Sequence, residues 1–156
     1  MSSIPMKVLA VDPGTEQSAW CALEDGRPVG FEKVPNGDLL QRLREDWCEG
    51  LLAVEMIASY GMPVGREVFD TCVWIGRYVE AWDRRGGKVR LVVRRDVKLF
   101  HCASARATDA NIRAALLDRF GPGREKAIGT KRNPGPLFGV KGDCWAALAL
   151  GIAVTA

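Results

Sequence analysis

The chain has 156 residues, 47% of them hydrophobic, which suits one compact domain with a real core and excludes a disordered chain. No apolar run could cross a bilayer, and the opening "MSSIPMK" is too short and polar for a secretory signal, so a cytoplasmic protein is expected. Net charge is only +3, yet residues 84–141 carry fifteen Lys or Arg against four Asp or Glu, a skew that suits either a polyanionic partner or a solvated charged surface.

Residues 6–11 form an apolar run that predicts a buried central strand, ending at Asp12 in the stretch "VLAVDPGT". Asp25-Gly26-Arg27-Pro28 separates two β-rich runs and predicts a hairpin of about 17–24 and 27–34, broken by Pro35-Asn36-Gly37-Asp38. Leu39, Leu40, Leu43 and Trp47 have helical spacing, and Gly50 closes that helix. "LLAVEMI" is a further buried strand. A long helix is predicted from about 64 to 82, with Val68, Cys72, Ile75, Val79 and Trp82 as a narrow stripe for sheet packing or for a dimer seam. "KVRLVVR" is the fifth strand. Short helices follow at about 97–102 and 110–120, the second capped by Thr108 or Asp109. Residues 121–140 read as a long Gly-, Pro- and Lys/Arg-rich loop, and "DCWAALALGIAV" as a last buried helix. This order describes a mixed α/β sheet of five strands, three antiparallel and then parallel, with helices on both faces.

The five cysteines, Cys21, Cys48, Cys72, Cys102 and Cys144, form no CxxC pair, and they read as buried thiols of a reducing compartment rather than a zinc site or disulfide framework. His101, the single histidine, reads as structural, and Trp20, Trp74, Trp82 and Trp145 as packing residues.

Three acids lie beside buried elements, where an unpartnered charge is costly: Asp12 ends the first strand, Glu55 lies in "LLAVE", and Asp143 opens the last helix. Singly each has a plain reading, as a turn residue, an exposed strand end or a helix cap. Together, on neighbouring strand ends, they would repel one another unless a cation joined them, and carboxylate oxygens suit hard divalent ions such as Mg²⁺. Such ions activate water and stabilise the leaving oxygen of a phosphodiester, while the basic half of the chain would hold a nucleic-acid backbone.

In order along the chain, "VLAVDPGTEQSAW", "LLAVEMIASYGMPVGREVFDTCVWIGR", "VVRRDVKLF" and "GDCWAALALGIA" resemble the segments of RuvC-like Holliday-junction resolvases, the phage-encoded branch most closely. The resemblance covers most of the chain. It implies a single ribonuclease H-like nuclease domain over 1–156 that cuts four-way DNA junctions as a homodimer with Mg²⁺ or Mn²⁺. It also implies metal-ligand roles for Asp12, Glu55 and Asp143, and a DNA-facing role for Lys98. One departure stands out: the family's second acid, one helical turn after the first on the last helix, falls at Ala146. Asp109 is the alternative fourth carboxylate, with helix capping as its other role.

Arg94, Arg95, Lys98, Arg106, Lys131, Arg132 and Lys141 are candidate phosphate contacts. Tyr60 and Met62, just after Glu55, are candidates to stack on a base or wedge into a junction, or else pack in a loop. Gly14 lets the chain turn beside Asp12, and Thr15 is a candidate phosphate donor. The rival readings are a same-fold nuclease acting on flap or RNA-containing duplexes, a non-catalytic junction-binding protein, and an actin-like or sugar-kinase ATPase, which would need a second such domain.

Overall fold

A computed structural model of the protein describes residues 6–47 and 49–156. Of the five cysteines, Cys48 lies outside the described residues. Five strands, β1 (Lys7–Asp12), β2 (Gln17–Glu24), β3 (Arg27–Pro35), β4 (Leu51–Met56) and β5 (Lys88–Val93), form one sheet in the order β3-β2-β1-β4-β5. β1–β2 and β2–β3 pair antiparallel, and β1–β4 and β4–β5 pair parallel. The hairpin closes at Asp25 and Gly26, both at positive φ, as a two-residue turn matched to strand twist requires.

The sheet alternates, and that alternation sorts the helices. Leu9, Val11, Leu52 and Val54 point to one face, where Leu39, Leu40 and Leu43 of α1 (Asn36–Glu45) and Ile75, Tyr78 and Trp82 of α2 (Arg66–Asp83) cover them. Val8, Ala10, Ala53 and Val92 point to the other, against α3 (Arg94–Cys102), α4 (Asp109–Phe120) and α6 (Cys144–Thr155). Helix α6 is apolar all round because it is buried nearly all round. Its Gly151 lies so close to the sheet that a Cβ there would sit 2.3 Å from Leu23 Cδ1 and 3.2 Å from Ala10 Cβ.

Several boundaries differ from the sequence reading. The meander ends at Pro35 as expected, but α1 begins at Asn36, two residues before the expected Asp38. Helix α3 begins at Arg94, three residues earlier than its apolar pattern implies. Thr108, not Asp109, caps α4, through a capping box with Asn111. The 121–140 segment is not a structureless loop: it contains the helical turn α5 (Arg124–Ala127) and a bridge between Gly129 and Pro134. Ala127 and Leu137 anchor it in the core. On α2 the buried line is Thr71, Ile75, Tyr78, Ala81 and Trp82, with Val68, Cys72 and Val79 only half-buried, so the expected stripe packs mainly on the sheet. Cys21 and Cys144 are buried free thiols, Cys72 and Cys102 half-buried ones. Among the described residues, no helix is long and apolar enough to cross a membrane.

Candidate active site at the open end of the sheet

Strand register alone brings Asp12 to Glu55. Val11 pairs with Val54 across the parallel β1–β4 ladder, so the next residues, Asp12 and Glu55, lie side by side on strands about 4.8 Å apart. Both continue the face of Val8, Ala10 and Ala53, the face that α6 covers. Asp143 sits at the start of α6, at that same end. The same row extends outward through β2 and β3, where Asp12 pairs with Ala19 and Ala19 with Lys33. Two residues beyond Val92, on the same side, comes Arg94.

The electrostatics follow from this crowding. Asp12 is raised from the usual carboxylate range to about 7, first by burial and then by the negative charges of Glu55 and Asp143, with Arg94 pulling the other way. The other acids lean on the chain's own cations. Lys33 Nζ donates to Asp143 Oδ2 at 2.7 Å, a bond that raises the lysine further. Arg94 Nη1 donates to Glu55 Oε1 at 3.3 Å, and its Nη2 donates to Asp109. Asp143 makes no capping bond with its side chain and lines the same cleft as Asp12.

The turn after Asp12 is held from beneath by buried polar groups. Asn36 Nδ2 donates to the Gly14 carbonyl at 2.9 Å, Ser18 Oγ donates to Asn36 Oδ1 at 2.6 Å, and Ser18 also bonds the Tyr78 hydroxyl at 2.9 Å. Ser18, Asn36 and Tyr78 are all buried, so α1 and α2 both brace this turn. Gly14 is required for space: a Cβ there would lie 2.3 Å from the Gln17 carbonyl oxygen.

A cleft of about 280 Å³ opens beside these groups, walled by Asp12, Arg94, Asp109, Asp143 and Ala146. Arg113 also borders it, stacked 4.8 Å over the Trp145 ring. A second hollow holds Glu55, Tyr60, Arg95 and Lys98, so these candidates gather next to the acids. Tyr60 is exposed at positive φ on the turn after β4, and Met62 is exposed beside it. Lys141 is exposed two residues before Asp143, and Arg106 is exposed just before α4. Lys131 and Arg132 are exposed at the tip of the Gly129–Pro134 bridge. Arg94 differs from this group, because its guanidinium is engaged by acids. Thr15 is exposed on the rim of a hollow shared with Asp12, Lys33 and Asp143. His101 is structural, its Nε2 bonded at 2.8 Å to the Ala149 carbonyl and its pKa lowered by burial.

As a donor set, carboxylates at one sheet end fit a hard divalent cation. Among the described residues, however, no three His, Cys, Asp or Glu side chains close around one point; Asp143 is paired with Lys33 and Glu55 with Arg94.

No family model matches the chain, and no curated protein matches it in sequence. Solved structures do match. The Thermus thermophilus RuvC structure superposes with a TM-score of 0.70, at 16% identity, over 95% of this chain and 92% of that one. T. thermophilus RuvC in complex with Holliday junction substrate gives 0.69, also at 16% identity, over 95% and 91%. The fold is RuvC-like. That likeness covers nearly the whole chain, and it is a likeness of backbone arrangement alone. Lys33, Arg113, Ser18 and Asn36 are site residues that sequence reasoning missed. Lys33 had a signal in the hairpin register, where it alternates with Phe31 on one face, whereas the others depend on contacts between distant segments.

Proposed function

We propose that the protein is a metal-dependent endodeoxyribonuclease that resolves four-way DNA junctions as a homodimer making paired nicks. The observation that carries this reading is the row of Asp12, Glu55 and Asp143 on one face at one sheet end, beside a rim of Lys and Arg. The RuvC-like fold supports it, one matching structure being RuvC in complex with Holliday junction substrate.

In this reading Asp12, Glu55 and Asp143 hold Mg²⁺ or Mn²⁺, which when bound lowers the pKa of water and neutralises charge on the phosphodiester. The chain's own residues do the rest. Asp12 must lose its proton, held up to about pH 7 in the cation-free state, before it serves as a ligand. Lys98, Arg95, Arg106, Lys131, Arg132 and Lys141 contact backbone phosphates and set position rather than sequence. Tyr60, exposed beside Glu55, stacks on a base opened at the junction. Phe69 and Val73, 62% and 57% exposed and one turn apart on α2, supply apolar contact between subunits.

The test is cleavage of an end-labelled four-way junction in Mg²⁺ with unlabelled competitors. Paired nicks, suppressed by unlabelled junction but not by linear duplex and abolished by EDTA, are expected. Stronger competition by a flap substrate would shift the reading to a same-fold nuclease of other branched DNA. Junction binding without cleavage in Mg²⁺ or Mn²⁺ would make the protein a non-catalytic binder.

A further inference from the structure

We propose that Arg44, Arg77, Arg84 and Arg85 form a second DNA-binding surface, which grips the phosphate backbone of a duplex segment well away from the acids. The choice of DNA as the polyanion rests on the reading of the protein as one that binds branched DNA.

Placement comes first. The four arginines line one hollow of about 530 Å³, in which the single acid is Glu80. Helix α2 returns the chain from the end of β4 to the start of the parallel β5, so its last turns lie where those strands begin. Trp82 Nε1 fixes that position by donating to the carbonyl of Gly50, the residue before β4, at 3.2 Å. Asp12 and Glu55 lie at the other end of β1 and β4, on the face that α6 covers, whereas α1 and α2 cover the opposite face. The hollow and the acids are therefore separated by the sheet and by a strand length of about 20 Å. One phosphate cannot touch both.

Chemistry supplies the second argument. All four arginines are exposed, and among the described residues none of them makes an ion pair. Two are held in place by other contacts: Arg77 lies 4.7 Å over the Trp74 ring, and Arg85 Nη1 donates to the Leu43 carbonyl at 2.7 Å. Guanidinia placed in advance lose little freedom on binding, and their forked donors match phosphate oxygens in pairs. The negative end of the α2 dipole favours Arg84 and Arg85, but not Arg77 two turns back. Arg77 and Arg84 stand about 11 Å apart along the chain's helical path, beyond the reach of one phosphate, so the ligand is a run of phosphates. A second copy of the chain does not suit the hollow, because a two-fold contact centred there would set arginine against arginine. Phe69, the apolar residue assigned to subunit contact, lies about 12 Å before Arg77 on α2.

The test is fluorescence anisotropy of a labelled linear duplex and a labelled four-way junction, in EDTA, from about 50 to 200 mM salt. Arg77→Gln/Arg84→Gln is expected to bind both about tenfold more weakly than wild type, with a plot of log affinity against log salt shallower by about two. Arg27→Gln/Arg119→Gln loses the same charge outside the hollow and the acid site, and is expected to match wild type. Affinity and slope unchanged by the first variant, or lowered equally by the second, would overturn the proposal. If circular dichroism shows that the first variant does not fold, Arg44→Gln/Arg84→Gln must give the same loss. Polyglutamate binding that the first variant loses, with DNA binding unchanged, would give the hollow to an acidic protein and overturn it too. The assay runs without a divalent ion, so a failure to nick cannot imitate a failure here. Wild type that binds neither DNA would overturn both this proposal and the reading of the protein as one that binds branched DNA.

Discussion

Asp12 carries a cost that depends on pH. Its folded-state pKa, about 7, stands above its ordinary value of 3.8. The folded chain therefore binds more protons than the unfolded chain between those values, and stability falls as pH rises. The cost is absent below about pH 4, grows up to about 7 and is complete above that. Asp12→Asn removes the ionisable group, so in EDTA its melting temperature is expected to gain on wild type across this window and to hold that gain above it. The gain corresponds to a few kcal/mol, from about 1.4 kcal/mol per pH unit. A constant difference between the two proteins from pH 4 to 8 would show that Asp12 is not a buried acid crowded by others.

At the same scale, the sequence exposed the three acids, because each interrupts an apolar element. It could not expose what neutralises them. Lys33 and Arg94 look like ordinary surface cations until register and strand order place them at the acids. Arg94 was legible only as one of several phosphate contacts, since nothing local distinguishes it from Arg95.

Among elements, the seam between α6 and the sheet positions the site, since Asp143 is fixed by where α6 begins. Gly151 governs how closely that helix approaches, and the Leu23 side chain facing it is buried and has little room to retreat. Gly151→Val is expected to destabilise the protein by about 1–3 kcal/mol, the usual cost of overpacking, measured by urea unfolding. An unchanged unfolding midpoint would mean that the seam yields freely. Strand order and helix faces were readable because the periodicities of two and 3.6 are strong here. Boundaries set by polar contacts were not, and α1 illustrates why: Asn36 and Gly37 read as a break ahead of the helix, yet Asn36 is its first residue and turns inward to hold the Gly14 carbonyl and Ser18. The 121–140 segment was misread because its two core anchors, Ala127 and Leu137, are scattered among Gly, Pro and charged residues.

For the whole molecule, Arg95 and Lys98 share a hollow with Glu55, while α2 leaves Phe69 and Val73 exposed on the opposite face of the sheet. Phe69→Glu is expected to convert a dimer to a monomer in sedimentation equilibrium while leaving the fold intact by circular dichroism. A dimer that survives the change would place the subunit contact elsewhere.

Nicking of a labelled four-way junction by wild type and Asp12→Asn, side by side in Mg²⁺ or Mn²⁺, tests the central claim most directly. Wild type is expected to give paired nicks and Asp12→Asn to cut at least about 100-fold more slowly, as loss of a charge-stabilising group implies, with junction binding retained. Equal cutting by the two proteins would contradict the assignment of the site.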